Sequence, residues 1–209
     1  HHRDGHLDLF VCNYIKLDTA KAPSPGDPLC QWKGIPVMCG PRGLPGDTNV
    51  LYHNNSDGTF TDVSEKSGIL KPGPRYSITA VSYDFDNDGW PDLILAGEWM
   101  PLTFLKNDKG IFKNVTTSTG IGNEVGWWNT IVTGDFDNDG DMDYIAGNLG
   151  QNSYFKASDK YPVNIIAKDF DNNGTYDALM SSFLPVSQEN HTKKEFPAES
   201  RDDILKQMP

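Results

Sequence analysis

The sequence predicts an all-β protein of the β-propeller type, and three observations support this prediction. Three acidic nine-residue loops each stand between two short β-type runs, two glycine-containing hairpins repeat at a step of about 52 residues, and loops and hairpins alternate. One repeat is therefore a strand, an acidic loop, a second strand and a hairpin. About four strands in roughly fifty residues is typical of a propeller blade.

The acidic loops place oxygen-bearing side chains at positions 1, 3, 5 and 9 and a glycine at position 6. A hard cation such as Ca²⁺ takes oxygen ligands in this arrangement, and the position-7 carbonyl can add a backbone ligand. Four carboxylates that converge on one point repel one another unless a cation lies among them. The candidate calcium ligands are Asp84, Asp86, Asp88, Trp90 and Asp92 in loop one, Asp135, Asp137, Asp139, Asp141 and Asp143 in loop two, and Asp169, Asp171, Asn173, Thr175 and Asp177 in loop three.

An EF-hand loop and a plain polar turn are the two other interpretations of these loops. An EF-hand needs a bidentate Glu at position 12 and flanking helices, whereas position 12 is Leu95, Ala146 or Met180 and the flanks are β-type runs. A plain polar turn explains one such loop, but three copies at matched positions favour metal binding. We expect loop three to bind less tightly, because Asn173 replaces a carboxylate at position 5.

The hairpins, residues 51–63 and 104–115, carry glycines and aromatic residues at matching places. Gly58 and Gly110 are 52 residues apart, and Phe60 and Phe112 keep the same offset. Loop three follows loop two after only 34 residues, from position 135 to position 169. We therefore expect the intervening blade to be abbreviated or to lack its outer hairpin.

Both ends of the sequence suggest a fragment. Residues 4–8 match positions 5 to 9 of a fourth loop, and the preceding His1-His2-Arg3 is either native or a tag remnant. Near the other end, Ser200 is placed to cap a helix. Three to four blades would leave open sheet edges, so we expect the natural polypeptide to be longer at both ends.

Composition excludes some partners and leaves others open. The formal net charge of −11 argues against nucleic-acid binding, and no apolar run approaches the ~18 residues of a membrane span.

The cysteines allow a disulfide. Cys30 and Cys39 bracket a Pro/Gly-rich insertion that a disulfide between them would hold together, although unpaired thiols stay an alternative. Cys12 is expected to be a buried strand thiol. Neither a C-x-x-C motif nor a His pair near the cysteines indicates zinc.

No catalytic motif stands out among the histidines, serines and carboxylates. The sequence has no G-x-S-x-G, H-E-x-x-H or P-loop pattern. Trp99 and the Trp127-Trp128 pair fit either a blade core, which we favour, or an aromatic platform for sugar rings.

The alternation of D-x-D-x-D-G-x-x-D loops with N-x-D-G-x-F hairpins resembles the FG-GAP/VCBS repeats of integrin-α-like propellers. Five further segments are similar to the bacterial relatives of cartilage acidic protein, the ASPIC/UnbV-associated family; these are residues 4–11, 37–45, 126–130, 146–150 and 200–207. The resemblance implies one domain over residues 1–209, a partial propeller of three to four blades with an insertion at 18–48 and a tail at 187–209.

The resemblance also implies a function. We expect a calcium-stabilised module that binds an unidentified protein or glycan. Since loops of this type resemble extracellular sites with dissociation constants of about 10⁻⁴ to 10⁻³ M, an extracytoplasmic location is expected. The alternative is part of a polysaccharide-active or oxidative enzyme whose catalytic residues lie outside this chain.

Overall fold

The structure is a computed structural model that describes residues 1–20, 22, 31–32, 35–36, 46–70, 77–151, 153–170, 172, 177–186 and 192–198. The predicted Cys30–Cys39 disulfide and the predicted C-terminal helix lie outside these residues. Cys12 is described; it follows the first strand and is half-buried, and this burial raises the pKa of its thiol.

The described residues form antiparallel sheets and one short 3₁₀ helix, Thr116–Thr119, so the all-β prediction is confirmed. The strands are β1 (Leu9–Val11), β2 (Gln31–Trp32), β3 (Ile35–Pro36), β4 (Val50–Asn54), β5 (Phe60–Asp62), β6 (Ser77–Tyr83), β7 (Asp92–Pro101), β8 (Thr103–Asp108), β9 (Ile111–Asn114), β10 (Val125–Gly134), β11 (Asp143–Asn148), β12 (Asn164–Lys168), β13 (Asp177–Pro185) and β14 (Lys193–Pro197).

The chain divides into two compact units. The first comprises residues 1–16 and 45–149 and holds a three-stranded sheet in the order β1-β4-β5 and a six-stranded sheet in the order β11-β10-β7-β8-β9, with β6 also paired to β7. The second comprises residues 17–44 and 150–209 and holds the sheet β12-β13-β14 and the two-residue strands β2 and β3. In the described residues the sheets do not close into a ring, so the propeller itself stays a proposal.

Each acidic loop joins two antiparallel strands, as the sequence predicts. Loop one connects β6 to β7, loop two connects β10 to β11, and loop three connects β12 to β13. The predicted hairpins are β4–β5 and β8–β9. Their turn glycines, Gly58 and Gly110, have φ angles of 89° and 95°, a left-handed conformation in which glycine has no Cβ to strain.

The strands β6 to β9 form one antiparallel four-stranded meander, which is the predicted repeat unit. Between β11 and β12, the described residues contain one isolated bridge, Ser158–Tyr161, and no strand. This gap agrees with the expectation of an abbreviated unit before loop three.

Strand β7 is the centre of the first unit because both of its faces are buried. Leu93 and Leu95 pack on one side with residues of β4, β8 and β9, while Ile94 and Ala96 pack on the other with Ile131 of β10. A strand that is covered on both faces needs a continuous apolar run, which the segment Leu-Ile-Leu-Ala supplies.

The first residue of β7, Asp92, links loop one to the neighbouring strand. Its side chain is fully buried, and its two carboxylate oxygens accept hydrogen bonds from the backbone nitrogens of Phe85 (3.0 Å) and Asn107 (2.7 Å). The last residue of loop one is therefore a structural connection as well as a candidate metal ligand.

Replacing Asp92 with Asn should lower the free energy of unfolding by about 1–3 kcal/mol, because an amide accepts through only one atom and leaves one buried N–H without a partner. Asp143→Asn is the matched control. Asp143 is half-buried and accepts from the Phe136 nitrogen at 3.0 Å, a bond that an amide oxygen can keep. Urea denaturation of both variants checks this, and equal losses would contradict it.

Candidate metal sites

Loops one, two and three share a backbone conformation at position 4. Asn87, Asn138 and Asn172 have φ angles of 57°, 61° and 61°, in the left-handed region that asparagine tolerates better than most residues. In loops one and two the position-1 carboxylate accepts from the glycine nitrogen, at 2.7 Å from Gly89 and 3.1 Å from Gly140. The loops are therefore shaped by their own acidic side chains.

Carboxylates at positions 1, 3 and 9 converge in both loops. In each loop, one oxygen from each of these three residues lies within 4.8 Å of the others; the residues are Asp84, Asp86 and Asp92 in loop one and Asp135, Asp137 and Asp143 in loop two. The position-5 residues are not in these groups. Asp88 and Asp139 each accept a hydrogen bond from the position-7 nitrogen at 2.9 Å. Their role as ligands, and that of the position-7 carbonyls of Trp90 and Asp141, stays a prediction.

Loop three is described only in part. Its position-1 residue, Asp169, is described, whereas Asp171, Asn173, Thr175 and the side chain of Asp177 lie outside the described residues. Whether its ligands converge therefore stays a prediction.

A lysine from the neighbouring hairpin supplies positive charge to loop one. The Lys106 ammonium, on β8, contacts Asp86 and lies 3.0 Å from Asp88 Oδ2. Hydrogen bonds to these two carboxylates raise the pKa of Lys106 well above its usual value. The charge of Lys106 thus offsets part of the repulsion among the carboxylates of loop one. A bound cation would relieve the same repulsion.

Loop two has no such partner in the described part of the chain: none of its carboxylates forms an ion pair with a lysine or arginine there. Asp135 and Asp137 are exposed, and Asp143 is half-buried. Their three converging carboxylates are a purely oxygen donor set, which fits a hard cation such as Ca²⁺.

Burial makes the ionised form of Asp92 in loop one less favourable. Burial, and secondarily the neighbouring Asp86 and Asp88, raise the pKa of Asp92. A carboxyl with a raised folded-state pKa favours folding most when it is protonated, and this contribution is lost as the pH rises through the two pKa values. A cation near Asp92 would counter that loss.

A fourth loop with the same backbone precedes β1. Arg3 occupies position 4 with a φ of 57°, and His6 at position 7 donates its backbone N–H to Asp4 at 2.9 Å. The position-9 residue, Asp8, accepts hydrogen bonds from the amino-terminal nitrogen of His1 and from the backbone nitrogen of Asn54. These are the counterparts of the bonds from Phe85 and Asn107 to Asp92, which confirms the predicted register of residues 4–8.

Histidines gather around this fourth loop. One ligand atom each from His1, His2, Asp8 and His53 lies within 4.8 Å of the others. Burial by itself raises the pKa of Asp8, but hydrogen bonds from His1, Asn54 and His53 lower it below its usual value. Burial and the neighbouring His53 lower the pKa of His2, which favours the neutral imidazole.

Sequence reasoning missed the partners that the hairpins bring to the loops. Lys106 and Asn107 on β8 correspond to His53 and Asn54 on β4. The backbone nitrogens of both asparagines donate to the position-9 carboxylate of their loop. Lys106 contacts the carboxylates at positions 3 and 5, whereas His53 contacts the one at position 9. The sequence signal that could have found these partners is an asparagine, with the residue before it, near the end of the first strand of each hairpin.

Residues 84–146 match the profile of the family described as "FG-GAP-like repeat". The chain carries an FG-GAP-like repeat. The matched segment contains loops one and two and the hairpin β8–β9, so the resemblance that the motifs indicate is confirmed.

Two curated relatives are similar to this chain over a longer stretch. Cartilage acidic protein 1 of Homo sapiens is 29% identical over 111 residues, and cartilage acidic protein 1 of Mus musculus is 27% identical over 115 residues. Each match covers 50% of this chain and 16% of the relative. The matched part is thus about one sixth of the length of these relatives.

The chain also has a partly exposed pair of tryptophans. Trp99 and Trp127 are half-buried, and their ring centroids are 5.2 Å apart at an interplanar angle of 48°. Trp99 has a φ of 57°, which is uncommon for a large side chain. Beside them, Glu98 accepts a hydrogen bond from the Tyr14 hydroxyl at 3.0 Å. The predicted burial of these rings in a blade core is only partial.

Replacing Lys106 with Met should strengthen cation binding to loop one by up to about fivefold, because the variant lacks the competing ammonium. Trp90 lies in loop one, so tryptophan-sensitised terbium luminescence reports on this loop. Lys113→Met is the matched control, since Lys113 pairs with Lys106 across the hairpin but contacts Asp108 instead. An equal gain in both variants would show that only net charge matters.

Proposed function

We propose that the chain is part of a calcium-stabilised, extracytoplasmic β-propeller that binds a protein or a glycan. The observation that carries the calcium proposal is loop two, where three carboxylates converge without a lysine or arginine partner in the described residues. Carboxylates held this close by the backbone repel one another, and a divalent cation among them replaces the repulsion with attraction.

Calcium in these loops would stabilise the sheets. Asp143 begins β11 and Asp135 directly follows β10, so a cation between them would fix the connection of two paired strands. The same holds for Asp84 and Asp92 at β6 and β7. In this proposal calcium stabilises the fold and takes part in no chemical step.

The propeller proposal rests on repetition. Strand, loop, strand and hairpin recur along the chain, and β7 packs with neighbouring strands on both faces. Blades of a propeller bury both faces in this manner, and ring closure removes their open edges.

The binding proposal rests on the tryptophan pair. Aromatic rings beside a carboxylate and a hydroxyl combine a stacking surface with hydrogen-bonding groups, the combination that ligand sites use for orientation. A sugar ring fits this chemistry, and so does a polar peptide.

The proposed location follows from the expected affinity. Sites with dissociation constants of about 10⁻⁴ to 10⁻³ M fill in calcium-rich extracellular fluids. The described part of the chain has no helix with the length and apolarity that crossing a bilayer takes.

Calcium at millimolar concentration should raise the melting temperature of the protein, and Asp137→Asn should reduce this rise because it weakens loop two. Glu65→Gln is the control, since it makes the same charge change at an exposed residue away from the loops. Differential scanning calorimetry with and without calcium measures the shifts. No calcium-dependent shift in the unmodified protein would refute the calcium proposal.

A glycan array should yield ligands whose binding is weakened at least about tenfold by Trp99→Ala, because each lost stacking contact removes about 1–2 kcal/mol or more. Phe60→Ala is the control, since Phe60 is an exposed aromatic residue of the same unit. Binding that survives both substitutions would place the ligand site elsewhere.

A further inference from the structure

The fourth loop differs from loops one and two in the chemistry of its ligands. His2 stands at position 3, where loops one and two have Asp86 and Asp137. On the hairpin side, His53 stands where loop one has Lys106. A carboxylate and an ammonium group are thus replaced by imidazoles. The left-handed residue at position 4 and the bond from the position-7 nitrogen to the position-5 carboxylate are kept.

We propose that His1, His2, His53 and Asp8 form a site for a first-row divalent transition ion of the zinc type. We include His1 in the site because of its position in the same loop register. It is the position-2 residue, its backbone nitrogen makes the bond to Asp8 that Phe85 makes to Asp92, and its ring Nδ1 lies 2.6 Å from Asp8 Oδ2.

Three separations among the ligand atoms of His2, His53 and Asp8 are close to those around a tetrahedral ion, whereas the His1 Nδ1–Asp8 Oδ2 separation of 2.6 Å is shorter. Two ligands at about 2.0–2.1 Å from zinc lie about 3.3 Å apart. His2 Nδ1 and His53 Nδ1 are 3.1 Å apart, His53 Nδ1 is 3.0 Å from Asp8 Oδ1, and His2 Nδ1 is 3.8 Å from Asp8 Oδ2. Little movement is needed to place one ion between them.

The donor set selects against calcium. Ca²⁺ takes six to eight oxygen ligands, whereas imidazole nitrogens suit zinc, copper and nickel. A carboxylate also stands behind one ligand: Asp4 Oδ2 lies 3.9 Å from His53 Nε2. Such a partner orients a metal-binding imidazole and increases its basicity.

The competing explanation is a metal-free hydrogen-bond network. Neutral imidazoles can donate to one another and to Asp8 at the same distances, because each ring offers one donor and one acceptor. The two explanations differ in whether removal of one imidazole abolishes ion binding.

Cobalt is a suitable probe, because tetrahedral Co²⁺ with nitrogen ligands has visible absorption bands. The protein is prepared without an added affinity tag and titrated with Co²⁺ and then with Zn²⁺ as competitor. Zn²⁺ should displace Co²⁺, and millimolar Ca²⁺ should not. His53→Ala and His2→Ala should each weaken binding by at least about a hundredfold, since even the loss of an outer-shell partner costs 10–100-fold.

His6→Ala is the matched control, because His6 belongs to the same loop but is exposed and outside the cluster. It should bind Co²⁺ as the unmodified protein does. His2 is 37% exposed, so its replacement should leave the fold intact, which circular dichroism checks. Absence of tetrahedral bands, or equal binding by His6→Ala and both cluster variants, would overturn the proposal. Asp137→Asn should leave Co²⁺ binding unchanged, which separates this site from calcium in loop two.

Discussion

The ninth residue of loop one and the ninth residue of the fourth loop carry the constraint on which the first unit depends. Asp8 and Asp92 each accept backbone N–H bonds from their own loop and from the neighbouring hairpin, at Asn54 and Asn107. A buried N–H without an acceptor costs more than an ordinary hydrogen bond contributes. These two carboxylates therefore fix the loop and the hairpin relative to the strand between them.

This constraint concentrates negative charge in a small volume. The loops differ in the side chain that contacts their carboxylates. Loop one receives the ammonium of Lys106, and the fourth loop receives the imidazole of His53. Loop two has neither in the described residues. In loop one this hairpin contact offsets part of the repulsion that a bound ion would relieve, so the three converging carboxylates of loop two keep more of it.

The strands, the hairpins and the position of each loop could be predicted because their patterns are local. Nine consecutive residues define a loop, and alternation around a turn glycine defines a hairpin. The partners of the loops could not be predicted in this way. Lys106 is 20 residues from Asp86, and His53 is 45 residues from Asp8, so only the pairing of strands brings them together.

The comparison of the loops separates backbone shape from ion choice. Arg3 and Asn87 have the same φ of 57°, and in both loops the position-7 nitrogen donates to the position-5 carboxylate, so these features of the turn do not require a carboxylate at position 3. Position 3 and the hairpin residue opposite are therefore free to differ. Asp86 with Lys106 makes a loop that is neutralised within the chain, whereas His2 with His53 makes one with nitrogen ligands. If the loops bind ions as proposed, the residues at these two positions would help to set which ion each loop prefers.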